Sequence, residues 1–486
     1  MNFPKNKYFE YVGLSAIFLI AGFFSFFHLT EAPAVWYDEG YYTQIARNIA
    51  LQGVWGIQEA PGIFTSIAGV TAGYPLIAPV ALSYKIFGIG VFSGRFVAAM
   101  YILAVVLMAY FFVRRLFGVP AALASGILLA TFPVLYGGGK SILGEVPAFF
   151  FLITALFFFE RALELRKKTD IALAGIFLGV MASAKVTFLL AGLPAFGLAV
   201  LLYRRRVPCD FASIFAFFAG FLPPFLLWIA TQFSKGDTVS SVLKFYFNPY
   251  SVGLAISSFS ANVLKFFTEV SPLYLLLLTL VWATALFLRF FRRENISFSE
   301  TVSFIFTLLI YVVFLKSPGW YRYFFPAQLV VFLFAPNAIL ILFRSISFRF
   351  SFLKKSAVPS VIFLIIFLSS SQLYQTFCNS FVAEYYNSKR TALIESYFAS
   401  NPNDKKYFLY NVPELVIFLP NDNYYQYIIN SHVDQVFGGA ELKKIKEGIP
   451  DIIILPVAVY KERAQNFALY AESGDIAGRY VVLQKK

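Results

Sequence analysis

FEYVGLSAIFLIAGFFSFFHL (residues 9–29) is an apolar run, and WYDEGYY (residues 36–42) follows it within a few residues. About 20 apolar residues at 1.5 Å each cross a hydrocarbon core of roughly 30 Å, so the first stretch spans a bilayer. The second sets two adjacent carboxylates, Asp38 and Glu39, at the membrane surface. Ionised carboxylates do not belong in hydrocarbon, so the pair must face water, a cation or a cavity. Its position points to chemistry at the water–lipid boundary.

The rest of the chain is of the same kind. Of its 486 residues 59% are hydrophobic and only 14% charged, too little polar surface for a soluble domain. Hydropathy predicts about eleven spans, near 9–29, 93–113, 119–136, 143–160, 171–185, 188–203, 211–232, 271–289, 300–316, 324–343 and 357–376. The fifth and sixth are short and close enough to form a tight hairpin. The connecting segments test the count. Lys5 and Lys7, Arg114 and Arg115, Arg161 to Lys168, Arg204 to Arg206, Arg289 to Arg293, and Arg344 to Lys355 make every alternate connection basic. By the positive-inside rule these face the cytoplasm. The N-terminus is then cytoplasmic, with Lys5 and Lys7 preceding a retained first span. The odd span count puts the C-terminal region outside. The net charge of +14 is therefore topological, and nucleic acid is excluded as a partner. Two Cys and two His argue against a Cys/His zinc site. Cys209 and Cys378 fall on opposite sides of the membrane, so no disulfide is expected. His28 and His432 are read as ordinary.

Two outer regions stand apart. In the first loop, about 30–92, Ile45, Ala46, Ile49 and Ala50 recur at helical spacing opposite Gln44, Arg47 and Asn48. This predicts an amphipathic helix over 41–51 lying along the interface and ending near Gly53, with a second helix over 74–87. Beyond residue 376 the composition turns polar. Apolar runs at 407–410, 415–419 and 451–455, with helical patterns at 388–400 and 440–447, predict a small α/β domain over 377–486.

Three further outer stretches could carry chemistry beside the Asp38-Glu39 pair. A carboxylate there suits a general base that takes a proton from a hydroxyl; the competing reading is a pair that favours the start of the 41–51 helix. Gly137-Gly138-Gly139-Lys140 opens the fourth span and leads to Glu145; it lacks the first glycine of a Walker loop. Lys140 reads as an anion contact or as a snorkelling side chain. Lys185 ends the fifth span and needs an anion or water. In the last outer loop Arg322 suits phosphate, and Trp320, Tyr321 and Tyr323 suit a sugar subsite or an interfacial belt. All of these lie on one face, whereas a transporter would set its charges near mid-membrane in repeated halves. The pattern resembles a site for an anionic amphipathic substrate held at the bilayer edge.

These residues resemble those of the GT-C class of polyprenyl-phosphate-sugar-dependent glycosyltransferases, nearest to protein O-mannosyltransferases and aminoarabinose lipid A transferases. The likeness lies in Tyr37 to Asn48, in Gly73-Tyr74-Pro75 through Gly94-Arg95-Phe96, in Lys140 through Glu145-Val146-Pro147, and in Arg322-Tyr323-Phe324-Phe325-Pro326, within about residues 10–345. The chain departs where the family's span-four motif commonly begins with Arg and this one has Lys140. Its C-terminal domain is similar to no accessory domain of the class.

The resemblance implies a GT-C-like, all-α polytopic fold (residues 1–376) in the cytoplasmic membrane. It implies inverting transfer of a sugar from a polyprenyl-phosphate donor to a hydroxyl acceptor on protein, lipid or glycan at the outer face. Asp38 would be the base, and Glu39 or Glu145 would orient the acceptor. Lys140, Lys185 and Arg322 would hold the donor phosphate, and Tyr41, Tyr42, Trp320, Tyr321 and Tyr323 would line the substrate. No metal site or firm cofactor is implied, with a divalent cation left open. As alternatives, a transporter or flippase of lipid-linked saccharides would share the ligand without breaking its bond, and a non-catalytic scaffold with a degenerate site would use its outer domain to bind partners.

Overall fold

The computed structural model describes residues 7–208, 210–233, 256–349, 357–378, 389–401, 404–430, 435–437 and 442–486. Among these, each of the eleven expected spans coincides with a helix: α1 (Lys7–Phe26), α4 (Val91–Phe117), α5 (Val119–Ala130, continued after a break by the short α6, Pro133–Gly137), α7 (Glu145–Leu165), α8 (Lys168–Ala184), α9 (Val186–Leu202), α10 (Phe211–Gln232), α12 (Val270–Phe291), α13 (Phe298–Lys316), α14 (Phe325–Arg349) and α15 (Ala357–Cys378). Eight are long and apolar enough to cross a membrane, and α5, α8 and α9 are shorter. The chain is a multi-pass membrane protein. Cys209, His432, Lys5, Lys354 and Lys355 lie outside the described residues, as do the extreme ends of the helices expected at 388–400 and 440–447.

Apolar side chains give no hydrophobic drive between helices already in lipid, so close packing must hold the bundle. Glycines supply it where α8 crosses α10. A Cβ on Gly175 would lie 2.2 Å from the Phe217 carbonyl, one on Gly179 2.5 Å from that of Phe221, and one on Gly220 2.2 Å from that of Ala172. These backbones touch directly.

The outer loop forms α2 (Tyr37–Gln52), a hairpin of β1 (Ile57–Ala60) and β2 (Ile63–Thr65), and α3 (Tyr74–Phe87). Gly53 closes α2 in the left-handed conformation, φ +72°, and gives its amide to the Asn48 and Ile49 carbonyls. Pro in its first turn and Gly88 after its end bound α3 at the predicted residues. Two expectations change. The helix predicted to lie with a polar face to water is buried on all sides from Glu39 to Asn48. The polar face is covered instead: Arg47 pairs with Asp422 at 2.7 Å, and Gln44 donates to the Tyr424 hydroxyl at 2.8 Å. The outer loops also contain the hairpin and α11 (Ile256–Thr268), which hydropathy did not reveal.

The C-terminal strands β3 (Tyr407–Tyr410), β4 (Tyr424–Asn430), β5 (Gln435–Phe437), β6 (Ile452–Pro456), β7 (Tyr470–Ile476) and β8 (Tyr480–Lys485) form a six-stranded mixed sheet in the order β5-β4-β3-β6-β8-β7, with β3 parallel to β4 and β6. All four β3 residues are buried, as a strand covered on both faces requires. The apolar run at 415–419 is not a strand. Pro413 starts a 3-10 helix, Pro413–Phe418, that packs its Leu415 and Val416 under the sheet.

The glycine crossing gives the first test. Gly220→Ala forces a methyl against a backbone carbonyl that cannot yield, and should cost about 1–3 kcal/mol. Gly197→Ala in α9 meets nothing within 4 Å and should leave stability equal or slightly raised. Thermal unfolding of the two detergent-solubilised variants should separate them by several degrees, with Gly220→Ala the lower.

Candidate active site

Four elements meet at the start of α7 and the end of α13. The first is the start of α2. Its N-cap, Trp36, makes no side-chain capping bond, and the two carboxylates after it are engaged elsewhere. Consecutive helical residues point about 100° apart, so Asp38 and Glu39 cannot face the same partner. Glu39 turns inward to Arg95 of α4. The guanidinium grips both carboxylate oxygens, Nε to Oε1 at 2.8 Å and Nη2 to Oε2 at 2.7 Å, and both residues are sealed from solvent. Arg95 also donates to the Leu29 and Pro33 carbonyls at 3.0 and 2.6 Å, and Glu39 accepts the Ile142 amide at 3.2 Å.

Asp38 turns the other way and forms an ion pair with Arg322. Arg322 sits in a 3-10 turn, Tyr321–Tyr323, that follows Gly319 at φ +80°. It lies over the rings of Trp320, Trp36 and Tyr323 at 4.8, 5.1 and 5.1 Å, and donates to the Tyr323 hydroxyl at 3.1 Å. Burial alone would lower its pKa, but the Asp38 carboxylate outweighs that and raises it above the ordinary value. From α11, Asn262 donates to the Ser317 carbonyl and Lys265 to that of Gly319, both at 2.8 Å, which props this loop.

Lys185 occupies the one-residue break between α8 and α9. Its extended backbone, φ −154°, bridges Ala72, and the Val186 amide donates to the Thr71 carbonyl at 3.1 Å. The outer loop thus holds the break in place. Gly144 lets α7 start against it; a Cβ there would fall 2.5 Å from the Ala184 carbonyl. Glu145 then reaches the Lys185 ammonium at 3.1 Å, and Lys185 donates to the Tyr42 hydroxyl at 3.4 Å. Burial would strip the Lys185 charge, but the Glu145 carboxylate and Tyr42 outweigh it and raise the pKa. Asp38 and Arg322 both act on Lys185 electrostatically, so the two ion pairs form one polar cluster. Burial holds the Tyr37, Tyr41 and Tyr42 phenols protonated. Trp320 and Tyr321 are the open members of the aromatic set.

The structure therefore brings together Asp38, Glu145, Lys185 and Arg322, with Tyr42 and Tyr323 between them. Two expected residues are not with them. Glu39 is consumed by Arg95 and cannot meet an acceptor. Lys140 is fully buried beneath the loop and donates to the Phe27 carbonyl at 2.8 Å. Burial, with the Arg95 charge, pulls it down to about 7. Among the described residues no three His, Cys, Asp or Glu side chains gather as a metal site, and Asp38 and Glu145 are each balanced by a cation.

Sequence reasoning quoted Trp36, Tyr37 and Arg95 within its motifs without giving them a role, and missed Asn262, Lys265 and Asn411. Arg95 had a signal, since a lone arginine just inside a long apolar helix demands an acidic partner. Asn411 had none. It accepts from the Tyr37 hydroxyl at 2.6 Å across 374 residues.

Residues 76–229, which include Arg95, Lys140, Glu145 and Lys185, match the family model described as dolichyl-phosphate-mannose-protein mannosyltransferase. Among curated proteins no sequence matches. ArnT from Cupriavidus metallidurans has the same fold: bound to undecaprenyl phosphate it shares 16% identity over 97% of both chains, TM-score 0.63, and in the apo state 15% over 97% of both, TM-score 0.64. The Archaeoglobus fulgidus oligosaccharyltransferase in the apo form shares 14% identity over 96% of this chain and 71% of its own, TM-score 0.57. The fold is the GT-C glycosyltransferase fold. At 97% coverage the likeness passes well beyond residues 10–345 into the C-terminal domain.

Breaking one side of the buried clamp gives the second test. Arg95→Met leaves the Glu39 carboxylate enclosed without a cation and should destabilise the fold by about 3–5 kcal/mol. The paired Glu39→Met, Arg95→Met variant should regain most of that. Melting of the two variants decides it, and a single variant as stable as the native chain would mean the clamp does not hold α2.

Proposed function

We propose that the chain transfers a sugar from a polyprenyl-phosphate carrier to a hydroxyl acceptor with inversion, at the outer face of the cytoplasmic membrane. The observation that carries this reading is the meeting of Asp38, Arg322, Lys185 and Glu145, drawn from four separate stretches, at one end of the bundle. Support comes also from the matched family model and from the undecaprenyl phosphate bound by the ArnT of like fold.

Asp38 takes the proton of the acceptor hydroxyl. The acceptor oxygen forms the new bond to the anomeric carbon as the bond from that carbon to the phosphate oxygen breaks. The electron pair leaves on the polyprenyl phosphate. Arg322 and Lys185 face that developing charge; both stay protonated, and a fixed cation costs no reorganisation at the moment of reaction. Glu145 fixes the Lys185 ammonium. Without donor, Arg322 is bound to Asp38 itself. A donor phosphate competes for the guanidinium, which has five N–H donors in a fixed fork, and so frees the carboxylate to act as base. Trp320 and Tyr321, open beside the pair, suit the sugar face.

Asp38→Asn keeps the shape and removes the base. Its turnover of a lipid-linked sugar, followed by mass spectrometry of product, should fall by about 10²–10⁴-fold. Native-like turnover would reject the assignment, and movement of intact donor across vesicles without cleavage would instead make the chain a transporter.

Arg322→Lys keeps the charge but loses the fork. It should lower the rate by at least about ten-fold, with a larger effect on kcat/KM than on donor-independent stability. Equal rates for Arg322→Lys and the native chain would mean that Arg322 contributes charge alone.

A further inference from the structure

At the end of the bundle away from Asp38, a cavity of about 550 Å³ opens between the ends of α4, α7, α9 and α12 and the start of α13. Its floor is apolar, with Leu116, Phe117, Leu163, Phe298 and Ile341. Its polar lining is largely satisfied internally. Arg289 pairs with Glu300 at 2.6 Å, Glu164 pairs with Arg115, and Glu160 accepts the Ser299 amide at 2.7 Å. Two guanidinium groups are the exception. Arg166 donates to the Arg206 carbonyl at 3.3 Å and Arg206 to the Asn295 side chain at 2.9 Å, both neutral acceptors. Among the described residues neither forms an ion pair. Asn337 enters from α14, an amide within an apolar helix, with no hydrogen bond among the described residues.

The helix dipole favours one arginine at the end of α7 and one after α9, and the fold brings both to a single opening over a hydrocarbon-like floor. Leu165, Leu201, Leu202, Phe290 and Phe291 are exposed around the same end, so the opening lies where lipid meets water. Basic pockets between membrane helices recognise anionic headgroups at that depth.

We propose that this cavity binds the phosphodiester of an anionic membrane lipid, with Arg166 and Arg206 on the phosphate, Asn337 on the glycerol or headgroup, and an acyl chain over Phe117, Phe298 and Ile341. The site stands apart from the reacting cluster and does not rest on the sugar-transfer reading. A free phosphate would satisfy the same arginines, but it would leave the apolar floor unused.

The test is native mass spectrometry of the full chain, released from detergent with phosphatidylglycerol, phosphatidylcholine or inorganic phosphate. The native chain should retain phosphatidylglycerol over phosphatidylcholine. The double variant Arg166→Gln, Arg206→Gln, both at solvent-reaching positions, should lose that preference, with apparent affinity down about 30-fold at roughly five-fold per arginine. Millimolar inorganic phosphate should leave the lipid adduct in place. Equal retention of both lipids, unchanged retention in the double variant, or full displacement by inorganic phosphate would each overturn the lipid assignment, the last in favour of a soluble anion.

Discussion

The polar cluster at this end of the bundle depends on the Glu39–Arg95 ion pair. Two charges sealed from water are tolerable only when each satisfies the other and their remaining donors and acceptors are filled. Here they are: the carboxylate takes a bidentate guanidinium and a backbone amide, and the guanidinium takes two oxygens and three carbonyls. The pair therefore fixes three segments at once: the end of the first membrane crossing at 29–33, the start of α2, and the start of α4. With Glu39 locked inward, the helical rotation of one residue leaves Asp38 no choice but to face Arg322. Of two carboxylates that look equivalent in the chain, one is sealed against Arg95 and the other pairs with the partly exposed Arg322.

The electrostatics of the cluster follow from this arrangement. Asp38 with Arg322 and Glu145 with Lys185 make two balanced pairs in a partly desolvated setting. A site already neutral does not attract anions at long range, yet it holds two cations of the kind that suits a phosphate. In the proposed reaction a phosphate on Arg322 adds its charge to the cluster beside both cations and releases Asp38 as base.

Much of this was legible because membranes impose strict rules. Length and apolarity locate the helices, since every backbone group must be satisfied within its own span. The α3 boundaries were legible because Pro75 and Gly88 punctuate them. What could not be read was pairing across distance. The polar face of α2 suggests water, but its partners, Asp422 and Tyr424, lie some 370 residues away. Lys140 and Lys185 look alike as single cations beside outer loops. Only the fold shows that Lys185 meets an acid whereas Lys140 meets a lone carbonyl and a neighbouring arginine. The run at 415–419 has strand composition, and only its place between sheet and α2 makes it a 3-10 turn.

That last contact bears on why a soluble-looking domain follows a membrane bundle. Gly40, one turn into α2, has no room for a side chain, because a Cβ would lie 2.3 Å from the Glu414 amide. Ile417 and Ile428 belong to the same apolar cluster as Ile45, Ala46 and Leu76 of the outer loop. The loop's core is thus completed by the C-terminal domain, and neither buries its apolar face alone. Tyr37, next to Asp38 in the chain, ends in a hydrogen bond to Asn411. Burial pushes the nearby Glu414 carboxyl up, and its Oε1 accepts from Tyr480 at 2.8 Å. The domain closes the side of α2 that the bundle leaves open. The position of the proposed base is therefore set jointly by a membrane arginine from below and a sheet domain from above.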